Sequence, residues 1–446
     1  MTSPSHSPGI NRKERRSGAK GGVGPGKGRL EDAVTTGRAA LVLQPNKPEI
    51  HSDLGVALRD LGLFEAAAAA SRAAIILRPD YAEAYSNMGS TLADLGQWEQ
   101  AIQAFQRART LRPDLAIIHN NLGGALNSLK RFDAAVDACR RALEIRNDYP
   151  EACNNLGNAL VGQGRYDLAL EVFRLALAMR PTYPEVHNNR SIALKEMGRL
   201  DAAEAACRAA LAQRADYPQA HNNLGIVLTD LGRLEEAESE CRAALGLKVP
   251  YPEALSNLGN VLAERGRLEE AEACYRTALA QRSDYPEAHN NLGQALKAMG
   301  RLPEAIVAYR TAIALRSDYA GAHLNLAISL LLNGELIEGW REFEWRGQNR
   351  SPLRRPYAQP QWRGEPLEGK TLLLWPEEGH GDQLQFCRYA AIAAERGARV
   401  VLATYRPLVR LLASTPGVAQ VVDHDGPMPP FDYHLSLLSV PHVMGA

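Results

Sequence analysis

Leucine recurs every 34 residues along most of this chain, at Leu58, Leu92, Leu126, Leu160, Leu194, Leu228, Leu262, Leu296 and Leu330. Three places before each stands a small residue. It is Gly55, Gly89, Gly123, Gly157, Gly225, Gly259 or Gly293, with Ser191 and Ala327 in the two remaining slots. Two alanine columns keep the same beat, one from Ala67 to Ala305 and one from Ala74 to Ala312. Self-similarity at this period predicts a stack of supersecondary units. In residues 286–319, taken as typical, the pattern predicts a helix from about Pro286 to Met299 and a second from about Leu302 to Leu315. Gly300 lies between them, where glycine makes a left-handed helix end cheap. The small columns let two antiparallel helices approach closely, and the leucines fill the space between them. Asp284-Tyr-Pro-Glu287 and Asp148-Tyr-Pro-Glu151 have the form of a capping box with Pro in the first turn.

These columns resemble the tetratricopeptide-repeat (TPR) family. The resemblance runs from residue 28 to about 346 and implies a mainly α fold, a TPR α-solenoid. Eight full repeats start at 48, 82, 116, 150, 184, 218, 252 and 286 and occupy 48–319. Residues 28–47 read as a preceding half repeat, because Gly28-Arg-Leu-Glu-Asp-Ala33 matches Gly232-Arg-Leu-Glu-Glu-Ala237. A degenerate ninth repeat covers 320–353. One hairpin cannot bury its apolar face alone, so stacking must supply the core.

Positions that packing does not require are the informative ones. Asn87, Asn121, Asn155, Asn189, Asn223, Asn257, Asn291 and Asn325 form an unbroken column. It resembles the asparagine ladder in the TPR domain of protein O-linked N-acetylglucosamine transferases, and in the TPR fold this position faces the concave side. A carboxamide donates and accepts, so a row of them could hold an extended peptide by its main chain. The same amides could instead bond neighbouring helices and stabilise the stack. Glu83, Glu151, Glu185, Glu253 and Glu287 recur near the same edge, where they could favour a basic ligand or serve as caps. His51, His119, His187, His221, His289 and His323 share one slot with Tyr85, Cys153 and Leu255. They lie whole repeats apart, too far for one metal ion, and read as packing positions. Cys139, Cys207 and Cys241 share a slot with Phe105, Phe173, Tyr275 and Tyr309 and read as core thiols.

Composition changes this picture little. Charged residues are 23% of the chain, and the formal net charge is zero. The whole therefore has no electrostatic reason to seek nucleic acid or membrane. Residues 1–27 are rich in Gly, Ser and Pro and carry Arg12, Lys13, Arg15, Arg16, Lys20 and Lys27 against Glu14, so a disordered basic tail is expected. There is no signal-peptide pattern, no apolar run long enough to span a membrane, and no Cys-x-x-Cys pair. The expected location is cytoplasmic, without metal or cofactor.

The period changes after Trp340. Residues 354–369 read as a linker, and 370–446 as a partial Rossmann-like segment. Thr371-Leu-Leu-Leu-Trp375, Arg399-Val-Val-Leu402, Ala419-Gln-Val-Val422 and Asp432-Tyr-His-Leu-Ser436 read as strands alternating with helices, hence a parallel α/β sheet. An exposed edge strand is expected. Gly379-x-Gly381-x-x-Leu384 is two-thirds of a dinucleotide fingerprint, and a P-loop is excluded. The segment resembles the N-terminal half of heptosyltransferase-type glycosyltransferases, in which a Gly-x-Gly-Asp turn follows the first strand. That resemblance implies Asp382 as the base for an acceptor hydroxyl; otherwise Asp382 merely caps a helix. It also implies a second, donor-binding domain that this chain would need from a partner, so sugar transfer by this chain alone is not expected. The reading that follows is a scaffold that binds a protein or peptide through the asparagine ladder. The alternative is a glycosyltransferase, or one chain of a split one, whose repeats present the acceptor.

Overall fold

The computed structural model describes residues 27–349, 357–377 and 379–445. The basic tail expected over 1–27 lies outside these residues except for its last position. The chain divides into two compact units, Met1–Val249 and Pro250–Ala446.

In the first unit a helix over Lys27–Leu43 precedes six helix pairs, from Pro48–Asp60 with Phe64–Leu77 to Pro218–Asp230 with Leu234–Leu247. In the second unit three pairs follow: Pro252–Glu264 with Leu268–Gln281, Pro286–Ala298 with Leu302–Leu315, and Ala320–Leu332 with Leu336–Phe343. All nine leucines of the 34-residue column are buried, and both alanine columns are fully buried.

The glycine column has a steric cause. A Cβ on Gly89 would lie 2.7 Å from the Phe105 ring, and one on Gly259 would lie 2.6 Å from the Tyr275 ring. Each glycine is the seat on which the second helix rests a ring, a thiol or, at Gly55, the Ser71 hydroxyl. The turn between paired helices is left-handed at Gly300, φ 77°, and at the equivalent glycines of most repeats. Lys130 takes that place in the third repeat with φ 58°. A side chain there costs about 1 kcal/mol or more.

The capping boxes do not form. The N-cap residues of Pro150–Gly162 and Pro286–Ala298 are Tyr149 and Tyr285, and neither side chain bonds the helix end. Glu151 and Glu287 pair elsewhere, as described below.

In the second unit a short helix, Arg346–Asn349, follows the last pair. Four strands then form a parallel sheet: β1 (Thr371–Trp375), β2 (Arg399–Thr404), β3 (Val418–Asp423) and β4 (Tyr433–Ser436), in the order β3-β2-β1-β4. Leu372 of β1 aligns with Val400 of β2 and Tyr433 of β4. One face buries Leu372, Leu374, Val400 and Leu402 with Phe386, Ala390 and Val440. The other buries Leu373, Trp375, Val401 and Ala403 with Tyr357 and Phe431 packed on them.

Of the two edges, that at β4 is partly closed. Trp362 N–H donates to the His434 carbonyl at 2.9 Å, and His434 N–H donates to the Pro360 carbonyl at 3.2 Å. Residues 357–369, read as linker, thus fold onto the sheet, with Trp362 fully buried. Among the described residues no helix is long and apolar enough to cross a membrane.

Two substitutions test the hairpin geometry. Lys130→Gly should raise stability by about 1 kcal/mol, seen as a higher urea midpoint at unchanged slope. Gly259→Ala should lower it by about 1–3 kcal/mol, because the Tyr275 ring has to move.

Candidate peptide-binding face

The first helices of neighbouring repeats pack on one another, as Pro150–Gly162 does with Ala116–Ser128 and Pro286–Ala298 does with Pro252–Glu264. The asparagine column stands on these helices. Asn121 is buried and the other seven are partly buried. In the first unit, Asn87 Nδ2 donates to Ser52 Oγ, Asn155 Nδ2 to Asn120 Oδ1, Asn189 Nδ2 to Asn154 Oδ1, and Asn223 Nδ2 to Asn188 Oδ1, each at 2.9 Å. In the second, Asn325 Nδ2 donates to Asn290 Oδ1 at 2.9 Å. Asn291 faces a repeat with Ser256 at the usual acceptor place and turns to Asn260 Oδ1 at 2.9 Å.

A second polar column therefore lies behind the first: Ser52, Ser86, Asn120, Asn154, Asn188, Asn222, Ser256 and Asn290, all buried. Sequence reasoning missed it, although it keeps the same period and, from Ser86 to Asn290, sits one residue before a ladder asparagine. Buried carboxamides need partners, and the clipped ladder amides supply them from the next repeat. The tyrosine that opens the next first helix lies beside the same groups: Ser52 lowers the pKa of Tyr81, Asn120 that of Tyr149 and Ser256 that of Tyr285, each against the larger raising effect of burial. Burial raises the Tyr149 phenol to about 12.

The ladder is thus half used by the fold. One N–H of each clipped amide is committed. The Oδ1 atoms of Asn189 and Asn291 accept only long bonds, 3.4 Å from Asn188 and Asn290. Among the described residues, no side chain or backbone donor reaches the Oδ1 of Asn87, Asn155, Asn223 or Asn325.

Four of the five recurring glutamates are already paired within the protein. Each pairs with an arginine 29 residues later, at the end of the second helix: Glu151 with Arg180, Glu185 with Arg214, Glu253 with Arg282 and Glu287 with Arg316. Glu83 lies 3.7 Å from Arg112. The arginine also covers the tyrosine ring of the next turn, 3.7 Å from the centroid for both Arg214 over Tyr217 and Arg282 over Tyr285.

The histidines clip turns. Nε2 of His51, His119, His221, His289 and His323 lies 2.8–3.0 Å from the carbonyl six residues earlier. His221 also places Nδ1 2.6 Å from Glu240. Both neighbours are acceptors, so both ring nitrogens must donate. The Glu240 carboxylate, and after it the Ala215 carbonyl, raise the His221 pKa against the opposing effect of burial. His187 goes the other way, lowered by burial and by Arg190. Among the described residues no His/Cys/Asp/Glu cluster could hold a metal. Cys139, Cys207 and Cys241 are buried free thiols on the glycine seats or on Ser191.

Family models decide the identity. Descriptions reading "Tetratricopeptide repeat" match residues 26–82, 86–150 and 188–254, and a further such model matches 126–191. One reading "TPR repeat" matches 259–300 and 294–334. This chain is a tetratricopeptide-repeat protein. No curated protein matches it. Among solved structures it is similar to a thermophilic TPR protein of Thermus thermophilus, with 29% identity and TM-score 0.38, covering 41% of this chain and 98% of that one. It is also similar to a TPR protein from Parabacteroides merdae, with 15% identity and TM-score 0.48, covering 56% and 98%.

Beside the repeats, Asp382 is exposed in the first turn of the seven-residue helix His380–Phe386. Glu377, after β1, is the buried acid of that region and is held by Arg346 and Ser436.

His221 makes this TPR protein pH-dependent in a defined direction. A histidine whose folded pKa is raised contributes its full stability below the unfolded value of about 6.5 and loses it as pH rises through the folded value. Urea midpoints measured between pH 5.5 and about 9 should fall more steeply for wild type than for Glu240→Gln.

Proposed function

We propose that this protein is a scaffold whose asparagine ladder holds an extended segment of another protein by its main chain. The observation that carries the reading is the set of unfilled Oδ1 acceptors on Asn87, Asn155, Asn223 and Asn325, whose amides are each fixed by a bond through Nδ2. A clipped carboxamide cannot rotate, so its oxygen is aimed before the guest arrives, and preorganisation lowers the cost of binding. With one N–H of each clipped amide committed and its oxygen unfilled, the ladder offers fixed acceptors to the N–H groups of a guest. Peptide units do so at every residue except proline.

The α/β segment serves as a docking appendage in this reading. Sugar transfer is the second reading. There Asp382 acts as the base, and a donor-binding partner chain completes the site. The Gly379-x-Gly381-Asp382 turn directly after β1 favours it, and calorimetric binding of a sugar nucleotide to this chain would support it.

The test uses peptides selected on the wild-type protein from a random library. Asn155→Ala, Asn189→Ala and Asn223→Ala combined should weaken their binding about tenfold or more, each lost bond being worth about 1 kcal/mol. Backbone N-methylation of the peptide should do the same, while most side-chain substitutions in it cost little. The triple variant's own melting curve shows how far the lost clips loosen the stack. Unchanged affinity for a folded triple variant, or tolerance of N-methylation throughout the peptide, refutes the reading.

A further inference from the structure

The small sheet has a crevice at the carboxyl ends of β1 and β4. In the order β3-β2-β1-β4 the chain winds to one side of β1 for β2 and β3 and to the other for β4. The winding reverses between β1 and β4, the place where open parallel sheets take ligands. A side chain from the end of the repeats occupies it. Arg346 Nε donates to Glu377 Oε2 at 2.8 Å, and Nη2 donates to Glu377 Oε1 and, at 2.8 Å, to Ser439 Oγ. Nη1 donates to Glu344 Oε1 at 2.7 Å and to the Phe343 carbonyl at 3.2 Å. All five N–H groups of the guanidinium are satisfied.

The acceptors are tied in turn. Ser439 Oγ donates to Glu344 Oε2 at 3.0 Å, and Ser436 Oγ donates to Glu377 Oε1. The Arg346 and Glu377 side chains keep only 11% and 8% of their exposure. The guanidinium lies 4.9 Å from the centroid of the Phe343 ring. Beside it Trp340, from the last repeat, meets Phe386 of the α/β segment edge-on at 5.5 Å.

We propose that this crevice is a guanidinium receptor which the chain fills with its own Arg346, latching the final repeat to the sheet. Two carboxylates and a hydroxyl, set to take a planar fork, select guanidinium. A lysine ammonium cannot make the bidentate pair with Glu377 while reaching Glu344 and Ser439. The same carboxylates repel phosphate, so the latched crevice is closed to the anionic ligands that such sheets commonly hold. The final repeat and the sheet move together while the latch is shut.

Hydrogen exchange on the full chain tests this, read in Leu336–Phe343 and Val440–Met444 with the hairpin Pro286–Leu315 as internal reference. Arg346→Ala leaves Glu377 buried and unpaired, so both segments should exchange roughly a hundredfold faster with the reference unchanged. Arg346→Lys should recover little of this. Millimolar methylguanidinium should return Arg346→Ala most of the way to wild type, and should not do so when Glu377→Gln is added. If Arg346→Ala loses β1 protection altogether, Glu377→Gln alone carries the test, because it keeps the side chain's volume. Faster exchange in the two segments with β1 intact then supports the latch. Wild-type exchange in Arg346→Ala or Glu377→Gln, full recovery by lysine, or indifference of a β1-protected Arg346→Ala to methylguanidinium overturns it.

Discussion

The repeats depend on one close approach. The second helix of each hairpin rests on a point of the first helix that carries no Cβ, as Phe105 rests on Gly89 and Tyr275 on Gly259. Where the slot holds Ser191, the residue beside it is the small Cys207. The approach brings both alanine columns to complete burial and places the leucines between the helices. Interiors packed at this density pass a small misfit to their neighbours. Hairpin spacing therefore governs whether Asn189 meets Asn154 from one repeat to the next.

That register creates a polar requirement and also meets it. Each first helix buries a carboxamide or hydroxyl, Asn120 and Asn188 among them, and a buried polar group without a partner is costly. The ladder asparagine of the following repeat supplies the bond. The ladder's first duty is structural, and the proposed second rests on what is left over. An amide held through one N–H still presents its oxygen, and holding it fixes where that oxygen points. The stabilising role and the proposed binding role are two ends of one side chain.

The C-terminal sheet compensates its charge in the same manner. Glu377 follows β1 into a buried site where an unpaired carboxylate would be strongly destabilising. Arg346 neutralises it and in doing so joins the sheet to the final repeat. Glu151, Glu185, Glu253 and Glu287 near the ladder are paired in a comparable way, each with an arginine that also lies over a tyrosine ring. The acceptors open on the first helices are neutral amide oxygens.

The periodic features were legible in the sequence. Helix pairs at 34-residue spacing, the glycine seat, the left-handed Gly300 and the four strands all follow from local rules of size, polarity and backbone freedom. The asparagine column was legible as well, because a residue type that recurs without a packing need stands out. Its partners were not. The capping role expected of Glu151 and Glu287 is replaced by pairs with Arg180 and Arg316, and the linker expected before residue 370 folds against β4. A polar side chain takes whatever partner the fold brings within about 3 Å, and sequence alone does not contain that distance. Spacing along the chain determined the repeat, its helices and its candidate face. Only the tertiary structure decided that Asn155 commits its N–H to a residue 35 places back and that Arg346 reaches a serine 93 places on. Local sterics act between near neighbours and leave a period that can be read; hydrogen bonds between distant residues form only where packing has already placed their ends together.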